Sequence, residues 1–225
     1  NLIEKWYDQL KRNCRTFNIS EKSIIETNDK IVTNMEKMGK LFVHKSIINS
    51  EETCLDYLKS AGLITIIENK VSYTHQSFLD CFISKRMLIQ YYNEMTIEEI
   101  IGDKVMQSPG RRYQIQMLMQ SILEFSSEDF LEFGFKLQES SNVRYYIKYL
   151  FYEMLAQIDN PDDAIKHFIV ENCNNENLFN LVIYERKQYI KILREEGILD
   201  CWCKDLEYKN RAYSLLISIN PNYNI

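Results

Sequence analysis

The chain has little of the two residues that interrupt regular secondary structure, with only 6 glycines and 3 prolines among 225 residues. Because glycine and proline mark turns and loops, their scarcity argues against a loop-rich or all-β fold and favours helices. The sequence also lacks the run of about 20 apolar residues that a membrane-spanning helix needs, so we predict no membrane association.

The N-terminal residues, NLIEKWYDQL, contain neither the apolar segment nor the small-residue cleavage site of a signal peptide. Because the first residue is asparagine rather than methionine, we expect the chain to be a segment of a longer protein. The six cysteines lie mostly in apolar or helical patterns, where a free thiol behaves as a small hydrophobic group. Reduced thiols and the missing signal peptide predict a cytoplasmic protein.

No motif for binding a nucleotide phosphate or a catalytic metal occurs in the sequence. The patterns G-x-x-x-x-G-K-[ST], G-x-G-x-x-G, H-E-x-x-H and G-x-S-x-G are all absent. His44, His75 and His167 have no metal-ligand spacing with one another, and Cys201 with Cys203 is an isolated pair. We therefore predict no catalytic residue, no metal site and no enzyme activity in this stretch of chain.

The first part of the chain predicts short helices around a β-hairpin. Residues 2–16 have the apolar spacing of an amphipathic helix. A second helix is capped by Asn18 or Ser20 and ends at Gly39. This second helix is either continuous or a pair of helices broken near Asn28.

The segments that follow have the order of a winged helix. They are an apolar strand, a brief turn or helix, a helix capped by Ser50 and ended by Gly62, and two β-rich runs separated by Glu68 and Asn69. In that order they span residues 41–44, 45–49, 51–61, 63–67 and 70–74. A helix, a strand, two helices and a hairpin together predict a winged-helix domain.

Only helices are predicted beyond residue 92. Thr96 and Glu99 form a capping box for a helix through residue 106, and Ser108-Pro109-Gly110 is the clearest linker-like break. Further helices are predicted at 111–125, at 127–139 with Ser127 as cap, at 142–158, from Asn160-Pro161 onward, from 175 or 176 to Gly197, at 198–206 and at 207–219. Short connections between them favour stacked helical hairpins with a degenerate repeat.

The predicted fold class is therefore mainly α. Residues 1–92 form the N-terminal helices and a small winged-helix domain with a β-hairpin. Residues 93–225 form an all-α domain of degenerate helical hairpins of the HEAT or TPR type.

Charge disfavours nucleic acid as the main partner of the predicted winged helix. The net charge is −5, and phosphate binding usually requires a basic surface. The helix at 51–61 would be the recognition helix, and it carries Glu51, Glu52 and Asp56 against Lys59 alone. The basic pairs Lys85-Arg86 and Arg111-Arg112 are typical of solvated helix faces. Protein contacts are thus the favoured role of this domain.

His75 is the candidate site residue, because it stands between the strand ending at Thr74 and the helix beginning near Gln76. The residues themselves allow two interpretations. One is a buried histidine, hydrogen-bonded at the end of the strand. The other is an imidazole that joins the exposed amides of a helix N-terminus in contacting an anion supplied by another domain.

Residues 28–88 resemble the winged-helix domain of NACHT-type STAND NTPases. The resemblance rests on Met-Gly-Lys-Leu-Phe at 38–42, on Leu-Lys-Ser-Ala-Gly-Leu-Ile at 58–64, and on Tyr-Thr-His-Gln-Ser-Phe at 73–78. The last segment matches the family's aromatic-x-His-x-Ser-Phe signature. After it the family usually has Gln-Glu-aromatic; this chain has Leu79-Asp80-Cys81, which keeps only the acid.

The resemblance implies a role for His75. In such proteins ADP or ATP, with Mg²⁺, binds mainly to an upstream nucleotide-binding domain of the same chain. The signature histidine reaches the nucleotide phosphate and holds the closed, ADP-bound state. His75 matches that position and would act only in the full-length protein, so the resemblance implies no bound cofactor and no ATP hydrolysis for this chain alone.

The resemblance further implies a ligand-operated signalling switch of innate immunity, a class that includes bacterial antiphage members. The helical region would sense a protein ligand, and the active state would be a homo-oligomer. Two other functions remain open: a helical scaffold whose winged helix contacts proteins, and a winged-helix regulator that binds nucleic acid.

Overall fold

A computed structural model describes residues 2–184 and 186–219 of the chain. The fold is mainly helical with a small three-stranded antiparallel sheet, which confirms the predicted fold class at that level. The chain divides into two compact units, one of residues 1–96 and 108–118, the other of residues 97–107 and 119–225. The domain boundary predicted after residue 92 stays a prediction.

Among the described residues, strands occur only up to β3, and the elements after it are helical. In chain order they are α1 (Leu2–Asn13), a 3₁₀ turn (Cys14–Phe17), α2 (Glu21–Met38), β1 (Val43–His44), α3 (Lys45–Ile48), α4 (Glu52–Ser60), β2 (Ile64–Ile67), β3 (Lys70–Tyr73), α5 (Gln76–Tyr92), α6 (Ile97–Ile101), α7 (Pro109–Phe125), α8 (Ser127–Glu139), α9 (Tyr145–Ala156), α10 (Asp163–Asn172), α11 (Glu176–Leu178), a π-helical turn (Phe179–Ile183), α12 (Lys187–Glu195), α13 (Ile198–Lys204) and α14 (Lys209–Ile219). No helix among the described residues is both long and apolar enough to cross a membrane.

Local sequence signals determine the helix ends and the hairpin of the first unit. Ser20 caps α2 by accepting a hydrogen bond from the Ser23 amide at 3.0 Å, and Gly39 ends α2 at a φ of +61°. Between the caps α2 is one continuous helix, so the alternative of a broken pair is wrong. Glu68 and Asn69 both have positive φ, at +49° and +61°, the geometry of a tight hairpin turn that suits the twist of its strands.

The sheet has the strand order β1-β3-β2, with both pairings antiparallel. One face of it packs against the helices, and the other face exposes His44, Ile67 and Lys70. The buried core draws on all three strands, on α2 and on α4: Val43, Ile64, Val71, Ile24, Ile31, Met35, Cys54, Leu55 and Leu58. Strand alternation and helical spacing thus bury the side chains that the sequence pattern assigns to the interior.

Three predicted boundaries in the first half are wrong. Ser50 does not cap α4, because Glu51 takes the N-cap position, and the Ser50 hydroxyl is buried without a hydrogen-bond partner among the described residues. The helix predicted through residue 106 ends at Ile101, since Gly102 has a φ of +80°. Pro109 opens α7 instead of breaking the chain, because the first helical position needs no amide donor.

The described residues of the second unit form helices and turns, and the wrong predictions there include two helix starts. Ser126, rather than Ser127, caps α8 by accepting from the Asp129 amide at 3.0 Å. Asp162, rather than Asn160, caps α10 by accepting from the Ile165 amide at 3.0 Å. In each case the residue with the extended backbone is the one whose side chain caps.

The long helix predicted to end at Gly197 is interrupted. Of the two predicted starts, Glu176 is the first helical residue and Asn175 is its cap. The helix α11 then passes into the π-helical turn, where the Tyr184 amide donates to the carbonyl of Phe179 at 2.9 Å. The extra residue in such a turn rotates the following chain relative to the α-helix before it. The HEAT or TPR type of the helical region stays a prediction.

Gly134 allows the close approach of α8 and α9. A Cβ built at Gly134 would lie 2.2 Å from the ring of Phe151, which is 1% exposed. Gly110, in the first turn of α7, is the opposite case, because its Cβ would meet nothing nearer than 3.7 Å.

We expect Gly134→Ala to lower the free energy of unfolding by about 2–3 kcal/mol, because the Phe151 ring must move in a packed core. Gly110→Ala is the matched control and should be neutral or stabilising by up to about 1 kcal/mol, since alanine favours the helix. Urea denaturation followed by circular dichroism measures both. Equal midpoints for the two variants would contradict the close packing at Gly134.

Candidate functional site

The strand–helix junction, residues 73–78, presents His75 to solvent. His75 is the N-cap of α5 with an extended backbone (φ −133°, ψ 138°), and its side chain makes no capping hydrogen bond. The side chain is exposed, so the interpretation as a buried histidine is wrong. Its ring centroid lies 6.1 Å from that of Phe78, which in turn lies 5.1 Å from the ring of Trp6.

The backbone on both sides of His75 is fixed. The Thr74 amide donates to the Leu63 carbonyl at 3.0 Å, and the Phe78 amide donates to the His75 carbonyl at 3.1 Å. α5 continues for 17 residues, so its N-terminus carries the partial positive charge of a full helix. An exposed imidazole beside such an N-terminus can bind an anionic oxygen.

The residues that flank the junction point inward. The buried Tyr73 hydroxyl donates to the Asn28 side chain at 2.7 Å, and burial holds the pKa of Tyr73 well above its usual range. Leu79 and Cys81, the two departures from the family pattern, are buried in the first unit. Asp80 is also buried, and burial raises its pKa although a hydrogen bond from Gln114 opposes the shift.

A polar cluster of five side chains joins α2, α5 and α7 within the first unit: Glu36, Asp80, Arg86, Arg111 and Gln114. Glu36 accepts from Arg111 at 2.9 Å with one carboxylate oxygen and from Arg86 at 3.1 Å with the other. Arg111 also donates to Gln114 at 3.2 Å, and Gln114 donates to Asp80 at 2.8 Å. The Arg111 side chain is only 10% exposed, so its predicted place on a solvated helix face is wrong.

We expect Glu36→Gln to lower the free energy of unfolding by about 2–3 kcal/mol, because it leaves the buried guanidinium of Arg111 and the half-buried one of Arg86 without their carboxylate. The control is Glu132→Gln, which removes an ion pair to Lys136 whose members are 58% and 50% exposed. That variant should change stability by less than about 0.5 kcal/mol. Denaturant unfolding measures the free energy of unfolding of both variants. Equal losses of stability would show that the polar cluster adds no more stability than an exposed ion pair.

A pocket of about 700 Å³ lies between α1, α2 and α5. We call it the α1–α2–α5 pocket; its lining comprises Glu4, Tyr7, Lys11, Ile25, Asn28, Asp29, Val32, Thr33, Cys81, Phe82, Lys85, Arg86 and Ile89. The Tyr7 side chain is 8% exposed, and its hydroxyl has no hydrogen-bond partner among the described residues. Burial, with a smaller contribution from the Asp29 charge, holds the pKa of Tyr7 well above its usual range.

Tyr7 and Tyr73 can be compared directly, because both hydroxyls are buried. The Tyr73 hydroxyl has a hydrogen bond to Asn28, and the Tyr7 hydroxyl has no hydrogen-bond partner among the described residues. We expect Tyr7→Phe to leave the thermal midpoint unchanged or higher. Tyr73→Phe should instead cost about 1–3 kcal/mol, since it leaves the buried Asn28 oxygen without its donor. Thermal unfolding by circular dichroism checks the order, and a larger loss for Tyr7→Phe would contradict the assignment of an unbonded hydroxyl.

Two further features of the sequence are the Cys201–Cys203 pair and the acidic surface of α4. Cys201 is exposed and Cys203 half-buried, and the described residues contain no group of three His, Cys, Asp or Glu side chains that could hold a metal. On α4, Asp56 and Lys59 are exposed together with Glu51 and Glu52, so the surface that would face DNA is acidic.

Comparisons with protein-family models, with curated proteins and with solved structures found no match to this chain. The assignment of the site therefore depends on the geometry above and on the residue pattern at 28–88. His75 was found from that pattern, whereas Tyr7 and the polar cluster were missed. The members of the polar cluster lie far apart in sequence, and the burial of Tyr7 depends on helices distant from it in the chain, so no local signal identifies them.

Proposed function

We propose that this chain is the regulatory part of a NACHT-like STAND NTPase. In this proposal the winged helix closes on ADP held by an upstream nucleotide-binding domain. The observation that carries it is the exposed His75 at the start of α5, between the buried residues Tyr73 and Leu79. Residues on both sides of His75 are buried in the core, whereas its imidazole is exposed and can contact a group outside this unit.

A phosphate oxygen suits this position for two reasons. A protonated imidazole attracts an anion, and a neutral one with the proton on the outward nitrogen can donate a hydrogen bond to it. The amide groups in the first turn of α5 lie at the positive end of the helix dipole, so they add to the attraction for an anion. ADP and Mg²⁺ would be held mainly by the upstream domain, and this chain would contribute the latch rather than catalysis.

The switch follows from differential binding. A contact between His75 and the ADP phosphate stabilises only the closed state, so loss of that contact shifts the population toward the open state. The helical region would bias the same equilibrium by sensing or relaying a protein ligand. The open protein would then homo-oligomerise and signal.

One observation favours the alternative of a protein-binding scaffold. Leu41, Phe42, Ile47 and Ile67 are exposed apolar residues on or beside β1, α3 and β2. Lys70 lies over the Phe42 ring, with 5.3 Å from its nitrogen to the ring centroid. Exposed aromatic and aliphatic side chains on a sheet surface are typical of protein contacts. The exposed acids of α4, in contrast, argue against the nucleic-acid alternative.

We expect His75→Ala, in the protein extended to include the upstream domain, to release bound ADP about tenfold faster, the effect of one charge-assisted hydrogen bond. Basal activation should rise with it. ADP retained after gel filtration and its dissociation rate are the measurements. His167→Ala, another exposed histidine, is the control and should behave as the parent protein.

Unchanged ADP retention in His75→Ala would remove His75 from the site. Thermal unfolding of the short chain provides a second control, because an exposed side chain without a cap bond should contribute less than about 0.5 kcal/mol to stability. The coding sequence upstream of Asn1 decides the proposal as a whole. A G-x-x-x-x-G-K-[ST] loop there supports it, and a start codon immediately before Asn1 overturns it.

A further inference from the structure

We propose that the free side of β1 binds an acidic peptide segment, which adds to the sheet as an antiparallel strand. The inference rests on main-chain groups without hydrogen bonds, on the exposed side chains beside them and on two lysines without ion pairs. It makes no use of a nucleotide, so it is independent of the switch proposal. We call this surface the β1 edge; its members are Lys40, Leu41, Phe42, His44 and Lys70.

The strand order β1-β3-β2 leaves one side of β1 without a neighbouring strand among the described residues. The register shows which groups point to that side. Val43 pairs with β3, and the Lys45 amide donates to the Asn69 carbonyl at 2.7 Å, so Val43 and Lys45 face the sheet. Because successive residues of an antiparallel strand face opposite sides, the main chain of Phe42 and the amide of His44 point outward.

The outward side of β1 is open to solvent. Neither the amide nor the carbonyl of Phe42 has a hydrogen-bond partner among the described residues. Phe42 is 38% exposed, Leu41 is 58% exposed, and His44 is exposed as well. Main-chain groups without a protein partner are satisfied by water, and an extended peptide can replace that water by adding a strand to the sheet.

Two lysines determine the charge of the occupant. The nitrogen of Lys70 lies 5.3 Å from the centroid of the Phe42 ring, and that of Lys40 lies 5.7 Å from it. Neither lysine has an ion pair among the described residues, whereas Lys45 is paired with Glu52. Uncompensated cations on both sides of an exposed ring favour a partner that carries carboxylates.

The register also determines which peptide side chains meet the lysines. Peptide residues bonded to Phe42 and His44 would direct their side chains to the same face of the sheet as those two residues. Lys70 pairs with His44 and is exposed on that face. An extended peptide with acidic side chains at alternate positions therefore places them beside the lysines while its main chain bonds to β1.

A second copy of this chain fits the β1 edge less well. Symmetric pairing of two such edges would bring Lys40 and Lys70 of one copy against the same lysines of the other. Like charges in an interface oppose association. A lipid surface would satisfy the lysines but would leave the main-chain groups of Phe42 without donors and acceptors in a regular array.

Fluorescence anisotropy with a labelled valine–glutamate alternating heptapeptide at low salt tests the proposal. Binding should saturate in the micromolar range. Lys40→Glu and Lys70→Glu should each weaken it about three- to tenfold, because each replaces an attraction by a repulsion. The control is Lys22→Glu at the other end of α2, where the lysine side chain is 85% exposed, and it should bind as the parent does. Circular dichroism should be the same for all four proteins.

N-methylation of the peptide tests strand addition directly. The glutamates are the residues whose main chain faces β1 in the proposed register, so methylating their amides should weaken binding more than about tenfold. Methylating the valine amides instead blocks only the outer side of the peptide and should have little effect. Equal binding of the two methylated peptides would overturn the added strand.

Three further results would overturn the acidic peptide as the occupant. One is equal affinity for a valine–lysine alternating heptapeptide. Another is a dimer in sedimentation velocity that Phe42→Glu abolishes, which would assign the β1 edge to a second copy. The third is binding to phosphatidylserine vesicles that both Lys40→Glu and Lys70→Glu abolish, together with no binding of the acidic peptide.

Discussion

The carboxylate of Glu36 is the contact on which the order of the first unit most depends. It lies between two guanidinium groups, accepting from Arg111 and Arg86 at 2.9 and 3.1 Å with separate oxygens. Each side chain of this trio comes from a different helix, α2, α5 or α7. Because a half-satisfied ionic cluster is costly in a buried site, the three helices are held in one arrangement rather than in several of similar energy.

The packing around the strand–helix junction determines that His75 is the side chain exposed there. On the N-terminal side of His75, the Tyr73 side chain is held by its hydrogen bond to Asn28. On the C-terminal side, the Asp80 side chain is held by a hydrogen bond from Gln114. The hydrogen bonds of the Thr74 and Phe78 amides hold the backbone around His75, while its exposed ring lies beside Phe78. Such a position is suited to contact a group on another domain, because the backbone is already ordered and its ordering adds no entropic cost to the contact.

The sequence could predict the elements whose causes are local. Ser20, Gly39 and Gly62 act through their own backbone conformations, and the Glu68-Asn69 turn closes its hairpin without help from the rest of the chain. Adjacent capping residues compete, however, and the sequence pattern predicted Ser127 as the cap of α8 where the structure has Ser126. The π-helical turn after α11 was also missed, because the helical spacing of apolar residues continues across it.

The sequence could not predict the sites whose partners are distant. Arg111 and Arg112 form a basic pair that is typical of a solvated face, and only the position of Glu36 on another helix makes one of them an interior residue. An unbonded Tyr7 hydroxyl is likewise invisible, because a tyrosine in an amphipathic helix normally finds a partner. His75 was identified by a family pattern, which encodes a non-local contact in a local string of residues.

Arg86 connects the polar cluster to the α1–α2–α5 pocket. Its guanidinium binds Glu36 with one nitrogen and the Thr33 hydroxyl with the other, at 3.0 Å, and both Arg86 and Thr33 line the pocket. The fork of donors in a guanidinium is planar and rigid, so the Arg86 side chain cannot turn away from Glu36 without also changing its hydrogen bond to Thr33. Arg86 therefore holds one wall of the pocket and the polar cluster in a single arrangement, and loss of the Glu36 carboxylate would release a side chain that lines the pocket.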